Sequence, residues 1–167
     1  YNVLKRYGSV QIRNVCTIAG NIATASPIGD SLPLLMALDA KIIIDGKNGK
    51  KTIPINKFFI GYRKTKLKQG DFIYSVKIPI LKYNIFKAYK ISKRFDDDIS
   101  SVCGSFNLEI NKNHIKRAKI AFGGMSEVPK RAIKTEKILI NSEFSEKIFD
   151  KATKNLEKDF SPIDDMR

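Results

Sequence analysis

The sequence predicts an α+β fold in two units, residues 1–81 and 82–167. Three observations predict it. An apolar helix and a turn-rich hairpin occupy the first half, three strand-period segments follow in succession, and two amphipathic helices come only after those strands. Strands first and helices after put the helices on one face of an antiparallel sheet. A chain of 167 residues can bury a core, and a composition of 43% hydrophobic and 29% charged residues is that of a globular protein.

Residues 31 to 39, "SLPLLMALD", predict a short helix. Ser31 can cap it, Pro33 is tolerated in its first turn, and Leu34, Leu35 and Leu38 share a face. "KIIID" and "KKTIPI" flank the turn-rich "GKNGK" and predict a hairpin. In "DFIYSVKIP", Phe72, Tyr74, Val76 and Ile78 keep strand period, Pro79 ends it, and "ILKYN" forms a junction. "IFKAYKISK", "VCGSFNLEIN" and "HIKRAKIAFGG" predict three strands, the last two joined by the polar turn "NKN". One helix is expected near residues 131 to 140. Another is expected from about Ser145 to Lys158, with Phe144, Ile148, Phe149, Ala152 and Leu156 on one side.

Thirty-one basic against 17 acidic residues give a net charge of +14. Such a charge suits nucleic acid or a membrane surface. The lysines alternate with acids, however, as in "EKIFDKATKNLEKD", and form no stripe interleaved with aromatics, so a solvated basic surface is expected. Cys16 and Cys103 lie far apart and form no CxxC, which predicts neither a disulfide framework nor a zinc site and suits a reducing cytosol. No apolar stretch is long enough to span a bilayer. The chain starts at Tyr1 rather than Met and stops directly after "PIDDM", so it is expected to be a piece of something larger.

The densest constellation is "CTIAGNIATASPIGD", residues 16 to 30, set directly against the apolar helix. Gly20 lets a ligand reach the backbone, consecutive loop amides can cradle an anion, and Thr17, Thr24 and Ser26 add hydroxyls. Asp30 repels a phosphate; it can accept from a ligand hydroxyl or ring N–H, or cap the helix. Gly-Asn and Ser-Pro are also common turn dipeptides, so the residues leave a ligand loop and a plain turn both open.

The three carboxylates Asp96, Asp97 and Asp98 point different ways on an extended or turning chain; a charged loop pairing with Lys93 and Arg94 is expected rather than a metal site. "GYRK" either directs Arg63 at an anion or closes a turn with Gly61. The glycines of "FGGM" are expected to serve close packing. His114 lies in a polar turn with no partner for a Ser-His-Asp or Cys-His set. No self-contained hydrolytic site is present, so any chemistry belongs to a cofactor.

"QIRNVCTIAGNIATASPIGDSLPLLMALDA", "FFIGYRKT", "AYKISKRFDDDIS", "IAFGGMSEVPKRA" and "LEKDFSPIDDMR" occur in an order that resembles the flavin-binding subunit or domain of xanthine dehydrogenases, within the molybdenum hydroxylase family. The resemblance runs from about Gln11 to Arg167. It implies the second half of a PCMH-type FAD-binding domain, followed by a small antiparallel-sheet-plus-helices domain like the CO dehydrogenase flavoprotein C-terminal domain. The family's "TIGGN" motif matches Thr17, Ile18, Ala19, Gly20 and Asn21, with Ala19 in place of a glycine. Tyr7 matches a flavin-adjacent aromatic and Asp30 a cofactor-contacting acid. Ile73 and Lys90 match FAD-touching positions on either side of the junction, and residues 94 to 98 match a charged loop near the isoalloxazine ring.

The implied function is electron relay during purine hydroxylation. Electrons from a molybdenum–pterin centre pass through iron–sulfur clusters to FAD and on to NAD+, and Lys90 favours the anionic reduced flavin. Molybdenum–pterin and iron–sulfur centres are expected on partner domains or subunits of a cytoplasmic hetero-oligomer, with no nucleic-acid or membrane partner. The family's first FAD loop lies upstream of Tyr1, so this chain as given is expected to hold FAD weakly or not at all. Flavoprotein subunits of carbon monoxide dehydrogenase or of an aromatic acyl-CoA reductase share the pattern, and a basic nucleic-acid-binding module is the remote alternative.

Overall fold

Four short helices open the chain: α1 (Asn2–Lys5), α2 (Val10–Val15), α3 (Ile18–Thr24) and α4 (Ser31–Ala37). The computed structural model describes residues 2–82 and 84–165. Tyr83 of the junction, and Met166 and Arg167 of the final segment, lie outside the described residues.

The stretch expected to be a ligand loop is helical. Thr17 caps α3, its Oγ1 accepting from the Gly20 amide at 2.9 Å, and Thr24 Oγ1 donates back to the Gly20 carbonyl at 2.8 Å. Alanines at 19 and 23 favour the helix, and Ile22 gives it a fully buried anchor. Ala19 therefore sits at ordinary helical angles, and its methyl costs no backbone strain. The next helix forms as expected, and every residue of α4 is buried.

Strands β1 (Lys41–Asp45) and β2 (Lys51–Pro54) form the expected hairpin, pairing from Lys41↔Pro54 to Ile44↔Lys51. The third strand of this sheet, β5 (Phe72–Lys77), pairs antiparallel with the other edge of β1. Ile42 and Ile44 point into a core shared with Ile22, Leu32, Leu35 and Phe58. Between them β3 (Phe59–Gly61) and β4 (Lys64–Thr65) make a small hairpin. Its turn carries Arg63 at φ 51°, so "GYRK" closes a turn.

The second sheet has the order β6 (Asn84–Ile91), β7 (Val102–Asn111), β8 (His114–Gly123), β9 (Lys130–Arg131), all antiparallel. Helices α5 (Ile133–Leu139) and α6 (Glu146–Asn155) cover one face, where Leu108, Ala118 and Ile120 meet Leu139 and Ala152. The opposite face takes α4: Ala121 joins the first unit's core, and Cys103 packs with Leu34. The strand alternation is thus buried on both sides, which fastens the units together. At the end of β8, Gly124 has φ +86° and its amide donates to the Pro27 carbonyl at 2.9 Å. A Cβ there would run into the Ser101 carbonyl, so this glycine serves close packing.

Candidate cofactor cleft

The two units close around a buried polar knot. Asp30, just ahead of α4, turns its carboxylate across the junction instead of capping the helix. Its Oδ2 accepts from Lys90 Nζ of β6 at 2.7 Å, and its Oδ1 accepts from the Ser100 hydroxyl. The Lys90 and Asp30 side chains are 2% and 5% exposed. Cys103 Sγ donates to the Asp30 carbonyl at 3.7 Å, and burial beside the Asp30 carboxylate pushes its thiol up to about 12 against the offsetting Lys90 charge. Farther along β7, Asn107 Nδ2 donates to the Ala37 carbonyl at 2.8 Å, satisfying one of the last carbonyls of α4.

An open cleft of about 470 Å³ lies above this knot. Tyr7, Ser9 and Ile12 form one wall; Asn21, Ser26 and Gly29 form another; Lys90, Arg94, Asp97, Asp98 and Ser100 complete it. Asn21 Oδ1 accepts from the Ser31 hydroxyl at 2.5 Å, a bond that does not use its amide N–H groups. Burial, with the nearby Cys16 and Asp30, raises the Tyr7 phenol above its ordinary range and keeps it neutral. In the rim loop, the Arg94 amide donates to Asp98 Oδ2 at 2.8 Å and holds that half-buried carboxyl below its usual range. Arg6 ties that loop to β6, donating to the Phe95 carbonyl at 2.8 Å and to the Lys90 carbonyl at 2.9 Å.

Of the nine positions singled out in the sequence, the cleft gathers four: Tyr7, Asn21, Asp30 and Lys90. Thr17, Ile18, Ala19 and Gly20 form the mostly exposed first turn of the helix that supplies Asn21. Ile73 lies half-buried on β5, the strand against which α3 packs. Within the knot the Lys90 charge is matched by Asp30 inside the protein. Ser100, Ser9 and Ile12 were not anticipated: isolated serines and an isoleucine carry no signal until folding brings them to one place.

Two family models divide the chain. Residues 2–81 match the FAD binding domain in molybdopterin dehydrogenase, and residues 87–167 match the CO dehydrogenase flavoprotein C-terminal domain. The chain belongs to the molybdenum hydroxylase flavoproteins. It is 39% identical over 165 residues to the xanthine dehydrogenase/oxidase of Gallus gallus, a match covering 95% of this chain and 12% of that one. It is 40% identical over 142 residues to the nicotinate hydroxylase hnxS of Emericella nidulans, covering 81% of this chain and 10% of the relative. The flavoprotein chain thus spans about an eighth of the length of these curated relatives.

The carbon monoxide dehydrogenase of Hydrogenophaga pseudoflava superposes with a TM-score of 0.93 at 22% identity, covering 98% of this chain and 57% of that one. Quinoline 2-oxidoreductase of Pseudomonas putida 86 superposes at 0.87 and 23% identity, with the same coverage. Those likenesses establish the α+β fold.

The cleft fits the family's cofactor by the chemistry of its donors. Tyr7 offers a neutral aromatic face, Asn21 and the serines offer hydrogen bonds, and Gly29 leaves one wall without side-chain bulk. Among the described residues no group of three or more His, Cys, Asp or Glu could hold a metal ion, and no helix is long and apolar enough to cross a membrane.

Proposed function

We propose that this cleft seats part of an FAD in a xanthine dehydrogenase-type molybdenum hydroxylase, which passes electrons from iron–sulfur clusters through the flavin to NAD+ during purine hydroxylation. The observation that carries the reading is the convergence of Tyr7, Asn21, Asp30 and Lys90 on one cleft from four separated segments. Molybdenum–pterin and iron–sulfur centres belong, in this reading, to partner domains or subunits of a cytoplasmic assembly. FAD supplies the redox chemistry when bound.

The chain's own residues bind and orient. Tyr7 would offer its aromatic face to the cofactor, and Asn21, held by Ser31, would offer its amide N–H groups. Thr17, Ile18, Ala19 and Gly20, on the exposed turn of α3, would help to hold the dinucleotide, and Ile73 supports that helix from β5. Lys90 acts through Asp30, fixing the carboxylate that faces the cofactor.

The chemistry in the xanthine dehydrogenase and nicotinate hydroxylase names favours an N-heterocyclic aromatic substrate, purine first. The reading is tested by the visible absorbance of the protein isolated with its partner polypeptides, before and after anaerobic NADH. Flavin bands that bleach support it. Flavin that ignores NADH moves the acceptor away from NAD+, and absence of flavin even after added FAD removes the cofactor reading.

A further inference from the structure

A second concavity, of about 570 Å³, opens where the first unit's Met36, Asn56 and Phe59 meet the second unit's β9 and α5, and it shares no lining residue with the cofactor cleft. Five of its twelve lining residues are cationic (Lys130, Arg131, Lys134, Lys137 and Lys158), against 31 Lys and Arg in 167 residues for the chain. Its single carboxylate is already engaged: Asp159 accepts from the Lys134 amide at 2.9 Å and from the Thr135 amide and hydroxyl at 2.8 Å each. Arg131 is held by Glu136 and Asp39. Among the described residues no ion pair engages Lys137 or Lys158, both exposed. The floor, with Met36, Phe59 and Pro129, is apolar.

We propose that this groove docks an acidic peptide segment of a partner polypeptide, one that sets apolar side chains on the floor and carboxylates against Lys137 and Lys158. Charge complementarity selects this occupant. A second copy of a chain carrying +14 is repelled. A single-stranded nucleic acid needs exposed aromatic platforms together with a basic groove, whereas the only aromatic lining side chain, Phe59, is half-buried. Because the lining comes from both units, the bound segment also clamps them together. The inference does not depend on the flavin reading.

The test measures binding of a fluorescent peptide of alternating glutamate and leucine to the full chain at low and at physiological salt. The double variant Lys137→Glu/Lys158→Glu is expected to weaken binding by roughly tenfold or more, since each reversal replaces an attraction by a repulsion. Reversal of Lys47 and Lys51, at the far end of the β1–β2 hairpin, leaves binding unchanged. The milder Lys137→Gln/Lys158→Gln gives an intermediate loss and guards against misfolding of the reversal variant. No peptide binding, equal loss from the hairpin variant, or equally tight binding of single-stranded DNA of the same charge overturns the proposal.

Discussion

Lys90 Nζ donates to Asp30 Oδ2 across 2.7 Å, joining residues that are sixty positions apart and lie in different units. Both side chains are almost wholly buried, so neither charge is tolerable without the other. Removing one partner leaves an uncompensated buried charge, whereas removing both leaves only a packing defect. Lys90→Met or Asp30→Asn alone is expected to lower the unfolding free energy by about 3 kcal/mol. The double variant should lose less than the sum by about 1–3 kcal/mol, read from urea denaturation curves. Strict additivity would mean that the pair contributes no coupling.

The two cysteines should behave differently. Cys16 is exposed and Cys103 buried. A disulfide reagent at neutral pH is expected to modify one thiol quickly and the second only on unfolding. Stability should also change with alkaline pH. Burial raises the Cys103 thiol from 9.0 to about 12, so below pH 9 it is protonated in both states and contributes no slope. Between these values the unfolded thiol ionises while the folded one does not, and stability falls by up to about 1.4 kcal/mol per pH unit. Cys103→Ala should flatten that part of the pH profile.

The β7–β8 turn places Lys112 and Asn113 at φ 47° and 62°, the left-handed geometry of the tight hairpin turn. Lysine tolerates that region poorly, whereas asparagine accepts it. Lys112→Asn is therefore expected to raise stability by about 0.5 kcal/mol, seen as a higher Tm with unchanged fold.

Gly124 is the opposite case, since its φ of +86° coincides with contact against the Ser101 backbone. Gly124→Ala should cost about 2 kcal/mol or more and loosen the chain around Pro27, whose carbonyl the Gly124 amide holds. Thermal unfolding of the variant checks this.

Strands β1, β2, β5, β6, β7 and β8 and the helices α4, α5 and α6 were legible because each carries its period in its own residues: Ile42 and Ile44 alternate, and Ile148, Ala152 and Leu156 share a helical face. The two-residue strand β9, whose Arg131 was expected at the start of a helix, is too short to show a period. Helix α3 was hidden. It has seven residues, one fully buried, and Thr17 caps it with a side chain that reads equally as a ligand donor. The cleft was legible only in part, for a related reason. Asp30 stood out as an acid beside the small-residue stretch and Lys90 only through the family resemblance, but their pairing, and the entry of Ser100, depend on how β6 and β7 register against α4. No spacing along the chain encodes that register.

The central claim is that the cleft between Tyr7, Asn21 and the 94–98 rim seats the flavin. Ile12, on that wall and 49% exposed, can be enlarged without disturbing the core. The most direct measurement is FAD affinity, by flavin fluorescence titration, of the protein assembled with its partner polypeptides, wild type against Ile12→Trp, with Tm recorded for both. The expected result is an unchanged Tm and FAD binding weakened by roughly tenfold, as a bulky ring fills space the cofactor needs. Equal FAD affinity in the two proteins, at equal Tm, would contradict this placement of the cofactor.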